Sequence, residues 1–166
     1  LFGVRATGGK VEILVLDAAS PVVSAMVRPG RRLKTGEVIS LLDRSGAVST
    51  FEAEMGELAA DGRRTVRLSA PPMEVMGQCG HMPLPPYLER EATAADEERY
   101  QTVFADKPGA IAAPTASLHI TRALIKRIEA RGAQLATVTL HVGPGTFRNL
   151  RSTDLDRGAL HVEQYI

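Results

Sequence analysis

Apolar residues in the first half of the chain recur in short runs broken by glycine and proline. Val11-Glu12-Ile13-Leu14-Val15-Leu16 reads as a strand, and so do 22–27, 37–42, 48–54 and 65–68. Gly8-Gly9, Pro29-Gly30, Gly36, Ser45-Gly46 and Asp61-Gly62 supply turn residues between them. Alternation is clearest where Val66 and Leu68 point one way and Arg67 the other. No helical period of any length interrupts residues 1–76. Several short strands with regular turns predict a small antiparallel β-barrel or sandwich there.

The pattern changes after residue 76. Gly80-His81-Met82-Pro83-Leu84-Pro85-Pro86-Tyr87 holds three of the chain's ten prolines. Proline fixes φ and removes a donor, so this stretch is a stiff extended arm, either a site wall or a plain linker. Thr93 and Asp96 have capping-box spacing and open a helix expected to run to about Ala105, with Tyr100, Val103 and Phe104 on one face. Pro108-Gly109 ends it. Gly109 to Ser117 is small and almost uncharged, so its backbone can approach a nucleobase or a neighbouring helix closely. Leu124 and Ile128 pair at i,i+4 in a helix over 123–130, and Gly132 terminates it. Residues 135–142 form the strongest strand pattern. Val138, Leu140 and Val142 face one way; Thr137, Thr139 and His141 face the other. In an open α/β sheet ligands gather outside the carboxyl ends of strands, and His141 is the last polar side chain before the Gly143-Pro144-Gly145 turn, which makes it a candidate functional residue.

Composition is that of an ordinary folded chain, with 44% hydrophobic and 23% charged residues. Formal net charge is +1, so any attraction to nucleic acid must come from local clusters. Three exist: Arg28, Arg31, Arg32 and Lys34; Arg63, Arg64 and Arg67; and Arg122, Lys126, Arg127 and Arg131. Each reads first as a solvated face. The lone Cys79 excludes an internal disulfide and fits a reducing, cytoplasmic setting. No run is long and apolar enough to cross a membrane. His and Cys spacing offers no metal site, and neither a P-loop nor a G-x-S-x-G elbow is present. The chain opens at Leu1-Phe2-Gly3 without methionine and ends at Glu163-Gln164-Tyr165-Ile166, which reads as a segment of a longer protein.

Ordered blocks carry a family resemblance. Gly80 to Tyr87 comes first, then Arg99-Tyr100-Gln101-Thr102-Val103-Phe104-Ala105. Pro108 to Ala116, Leu118-His119, Thr139-Leu140-His141-Val142-Gly143 and Gly145-Thr146-Phe147 follow. Together they resemble the S-adenosylmethionine:tRNA ribosyltransferase-isomerase family of queuosine biosynthesis. Leu1-Phe2-Gly3 through Glu12 is similar to the start of that family's barrel region. The chain departs from the family at Ser117, Ile120 and Asn149. A later Asp-His-x-Met-His-x-Glu pattern survives only as Asp156, His161 and Glu163. Val27 to Val38 is also similar, more faintly, to the turn region of biotinyl/lipoyl carrier domains, without their lysine hairpin.

The resemblance implies an α/β domain, of which 77–166 is part, carrying an inserted small antiparallel β-barrel over 1–76. It implies that S-adenosylmethionine is a substrate, donating its ribosyl group, with no separate cofactor. The acceptor is then 7-aminomethyl-7-deazaguanine in the wobble position of a tRNA anticodon loop, and adenine and methionine are released. Imidazole exchanges protons near neutral pH, which makes His119 and His141 the candidate proton-transfer residues and His81 a positioning one. Tyr87, Tyr100 and Phe147 are candidates to stack on a base. Thr115, Thr139 and Thr146 would bond ribose or amino-acid groups, and Arg99 the methionine carboxylate. Pro85, Gln101 and Gly143 complete the expected substrate-binding set. Two other readings stay open: the same fold acting on a small free acceptor, and a non-catalytic RNA-binding module.

Overall fold

The computed structural model describes residues 1–84, 88, 90, 92–143, 155–156, 158 and 164–165. They fall into two compact units, Leu1–Ala92 and Thr93–Ile166.

The first unit is built on a closed antiparallel barrel. Its strands are β1 (Phe2–Arg5), β2 (Lys10–Val15), β3 (Val22–Arg28), β4 (Val38–Leu42), β5 (Val48–Leu58) and β6 (Arg63–Leu68). Around the barrel the order is β1-β2-β3-β6-β5-β4, and β4 pairs back onto β1. Period-two alternation decides which side chains line the interior. Val23, Ala25 and Val27 point inward from β3, and Phe51, Ala53 and Met55 from β5. Ile13, Ile39, Leu41 and Met55 are fully buried, each contributing about 2 kcal/mol of transfer free energy. Register shifts between Ser40 and Leu42, and between Met55 and Leu58, bend the sheet where it must curl to close.

Two elements of this unit were absent from the sequence pattern. Strand β1 is too short to alternate visibly, yet it closes the barrel by pairing on both sides. Helix α1 (Pro72–Cys79) begins with proline in its first turn, where a missing N–H costs nothing. Val75 and Cys79 lie one turn apart and are both fully buried in the barrel's core cluster. That burial ties residues 72–79 to the barrel unit. It also accounts for Cys79, whose sulfur lies 3.4 Å from the Ser49 hydroxyl with no exposure to solvent.

The second unit contains α2 (Ala94–Arg99), a 3-10 turn at Thr115–His119, α3 (Arg122–Glu129) and a two-stranded sheet of β7 (Leu140–His141) and β8 (Gln164–Tyr165). The predicted cap is present: the Asp96 carboxylate accepts from the Thr93 N–H at 2.7 Å and the Thr93 hydroxyl at 2.8 Å. The helix, however, stops at Arg99 rather than near Ala105. Side chains compete for the backbone just beyond it. Gln101 Oε1 accepts from Thr102 N–H, and Thr102 Oγ1 accepts from Phe104 N–H. Tyr100, Val103 and Phe104 therefore do not share a helical face. Helix α3 forms as expected, capped by Thr121 Oγ1 accepting from Leu124 N–H. It ends at Glu129, and the turn that follows closes at Gly132, whose N–H donates to the Glu129 carbonyl and whose φ of +86° no β-carbon residue adopts without strain. The strand expected over 135–142 is reduced to Leu140–His141, because only those residues gain a ladder partner among the described residues. Leu135, Val138 and Leu140 stay exposed.

Among the described residues no helix is long and apolar enough to cross a membrane, and no group of three His, Cys, Asp or Glu is placed to hold a metal.

Candidate functional site

Two of the quoted sequence blocks meet in the second unit. The backbone of Ile111 donates to the Val142 carbonyl at 2.9 Å, so the loop after Pro108-Gly109 runs beside the end of β7. There Gly109 lies against the His141 imidazole. A β-carbon at Gly109 would overlap Nδ1 and Cε1 of that ring. Its φ of +142° adds a second reason for glycine. At Gly109 the surface approached by this small-residue loop is thus a histidine ring. Gly109 was not among the candidate site residues. The Pro-Gly dipeptide was its one local signal, and the ring it meets lies far along the chain.

The other candidates are distributed as follows. His141 and Thr139 are half-buried, and Gly143 follows β7, also half-buried. His119 is exposed at the end of the 3-10 turn that Thr115 begins. Arg99 is the exposed last residue of α2, Tyr100 caps that helix half-buried, and Gln101 is exposed. His81 belongs to the first unit, where its ring meets Phe2 of β1 edge-on with centroids 5.1 Å apart. Pro85, Tyr87, Thr146 and Phe147 lie outside the described residues.

The basic clusters resolve into different environments. Arg64 is only 4% exposed and sits inside the barrel wall. Its guanidinium donates to the carbonyls of Gly56, Leu33 and Gly30 at 3.0, 3.0 and 3.3 Å, while Nε has no partner. The cluster of Arg63, Arg64 and Arg67 is therefore not one solvated face. Alternation back from Val66 and Leu68 was the signal, since Arg64 falls in the same inward phase. Its exposed neighbours have acidic partners: Arg63 pairs with Asp61 at 2.6 Å, and Arg67 faces Glu54 at 3.7 Å. The Arg63 N–H and guanidinium together hold the Asp61 carboxyl below its ordinary range. On the other side of the barrel, Arg5 grips Glu37 with two hydrogen bonds of 2.5 and 3.1 Å. That guanidinium, helped by the Lys34 N–H, lowers the Glu37 carboxyl in the same way.

A family model described as queuosine biosynthesis protein matches residues 1–166. A relative named S-adenosylmethionine:tRNA ribosyltransferase-isomerase from Solibacter usitatus is 46% identical over 95% of this chain and 44% of its own length. Relatives of the same name from Anaeromyxobacter dehalogenans and an Azoarcus species are each 43% identical, over 99% and 100% of this chain and 48% and 47% of their own. The chain thus spans about half the length of the curated relatives it matches. A crystal structure of S-adenosylmethionine tRNA ribosyltransferase from Thermotoga maritima aligns with 85% of this chain and 36% of its own. The identity is 20% and the TM-score 0.34, too low to establish shared geometry. With every residue covered by the family model, the chain belongs to the queuosine biosynthesis protein family.

Proposed function

We propose that the protein containing this chain transfers and isomerises the ribosyl group of S-adenosylmethionine onto 7-aminomethyl-7-deazaguanine in the anticodon loop of tRNA. The products are epoxyqueuosine-tRNA, adenine and methionine. One observation carries this reading: relatives of that name share 43–46% identity across nearly the whole chain. In the full-length protein the barrel is an insertion within an α/β domain, and the reaction takes place in the cytoplasm with its tRNA.

The chemistry calls for proton movement at two places. The sulfonium acidifies the ribose C5′ hydrogens, and a base takes one of them. Adenine leaves more readily when an acid supplies a proton to it. Imidazole serves either task near neutral pH. His141 is the stronger candidate for proton transfer, because the Gly109 loop packed on its ring restricts where that ring can stand. His119 is the second candidate, placed by the turn that also carries Thr115. Arg99 and Tyr100, adjacent at the end of α2, would hold the methionine carboxylate and stack on a base.

The test mixes the full-length protein with S-adenosylmethionine and tRNA bearing the aminomethyl base, and follows adenine. Turnover is expected with that tRNA and not without RNA. Adenine release in the absence of RNA would turn the reading toward a small free acceptor. A His141→Ala protein is expected to lose turnover while still binding tRNA; full activity would remove that residue from the proton-transfer role.

A further inference from the structure

Residues 29–37 join β3 to β4 across one end of the barrel, and this loop is clamped from beneath. The buried guanidinium of Arg64 donates to Gly30 and Leu33 carbonyls. Arg5 reaches the Arg32 carbonyl at 3.5 Å, and Glu37 accepts from the Lys34 N–H at 3.0 Å. The Leu33 side chain is 4% exposed and packs in the barrel core. The loop is thus anchored by its backbone, by Leu33 and by the Thr35 and Glu37 side chains, while Arg31, Arg32 and Lys34 project into solvent. Among the described residues no carboxylate pairs with Arg31 or Arg32, while the Lys34 charge acts on the Glu37 carboxylate that Arg5 already holds.

The exposed arginines on the barrel strands differ. Arg63 and Arg67 face Asp61 and Glu54. Lys126 and Arg127 stand in the last turn of α3, where a cation complements the helix dipole. A set of cations that the fold holds on a fixed backbone, with Arg31 and Arg32 left without a carboxylate partner, suits a polyanion. Regularly spaced phosphates are the polyanion that the proposed substrate presents. From this placement we infer that the β3–β4 loop is the barrel's contact for the tRNA phosphate backbone, through Arg31, Arg32 and Lys34. This rests on the reading of the protein as a tRNA-modifying enzyme. It assigns a partner to a surface remote in sequence from the candidate histidines. Contacts of this kind position RNA and carry no base specificity.

The experiment uses the full-length protein in three forms: unchanged, Arg31→Ala/Arg32→Ala/Lys34→Ala, and Arg63→Ala/Arg67→Ala as a control of similar charge change. Thermal melts establish that each folds. Affinity for the tRNA is measured against salt concentration, and adenine release against tRNA concentration. Each phosphate contact contributes roughly 0.7–0.9 to the slope of log affinity against log salt. The loop variant should therefore lose about 2 from that slope, bind roughly tenfold or more weakly at low salt, and raise KM for tRNA with kcat retained. The control should keep the unchanged protein's slope. If the unchanged protein turns over and the loop variant keeps its affinity and slope, the loop assignment is overturned and the enzymatic reading stands. If the unchanged protein binds tRNA without turnover, the enzymatic reading fails, and a reduced slope in the loop variant still supports the assignment. A protein that does not bind tRNA at all overturns both.

Discussion

Replacing Gly109 by alanine tests the seating of His141 directly. Gly109 has φ of +142°, a conformation that L residues rarely adopt, and a side chain there costs about 1–2 kcal/mol in backbone strain. The added methyl group would also overlap the His141 ring. Ordinary contact between such atoms is about 3.5 Å, so the ring must move by about 1 Å for the methyl group to fit. A ring is easier to displace than a backbone, so the displacement falls on His141. Misplacing a reacting group by that amount costs on the order of 10²-fold in rate. Gly132→Ala separates strain from overlap, because Gly132 has φ of +86° and nothing within 4 Å of its would-be β-carbon. Both variants should melt somewhat earlier than the unchanged protein. Only Gly109→Ala should shift the His141 ring resonances in an NMR spectrum and depress adenine release under saturating substrates. Unshifted resonances together with full turnover would refute the reasoning, since the ring would then not occupy the place described. Shifted resonances with full turnover would keep the packing and remove His141 from proton transfer.

Two further outcomes follow from the barrel. Arg64→Met removes three charge-assisted hydrogen bonds to carbonyls of the loop and β5. The orphaned carbonyls outweigh the relief of burying a charge, so the net loss should be about 2 kcal/mol. In a thermal melt that is a fall on the order of 10 °C, and an unchanged midpoint would show that those carbonyls find other partners. The Glu37 carboxyl is depressed, chiefly by its hydrogen bond with Arg5, so its folded form prefers the charged state. The stability it contributes is therefore present above the ordinary carboxylate range and lost as pH falls through the depressed value. Unchanged protein and Glu37→Gln should differ in melting temperature near neutrality and converge as pH falls through the depressed value; a constant gap would refute the ion pair's role.

The barrel was legible because its strands each show one face to the core, and the alternation of Val23, Ala25 and Val27 or of Val66 and Leu68 records that locally. Turn glycines and the Thr93–Asp96 cap were legible for the same reason, since each is satisfied within a few residues of chain. What tertiary structure decided is whatever depends on a distant partner. The 135–142 pattern was sound, yet a strand exists only where another backbone completes its ladder, and that happens at Leu140–His141. Helix α1 forms on eight residues because Val75 and Cys79 find the barrel core. Arg64 became an interior clamp instead of a surface charge because three carbonyls converge on it. The seat of His141 is made by Gly109, a residue that no short-range pattern links to it.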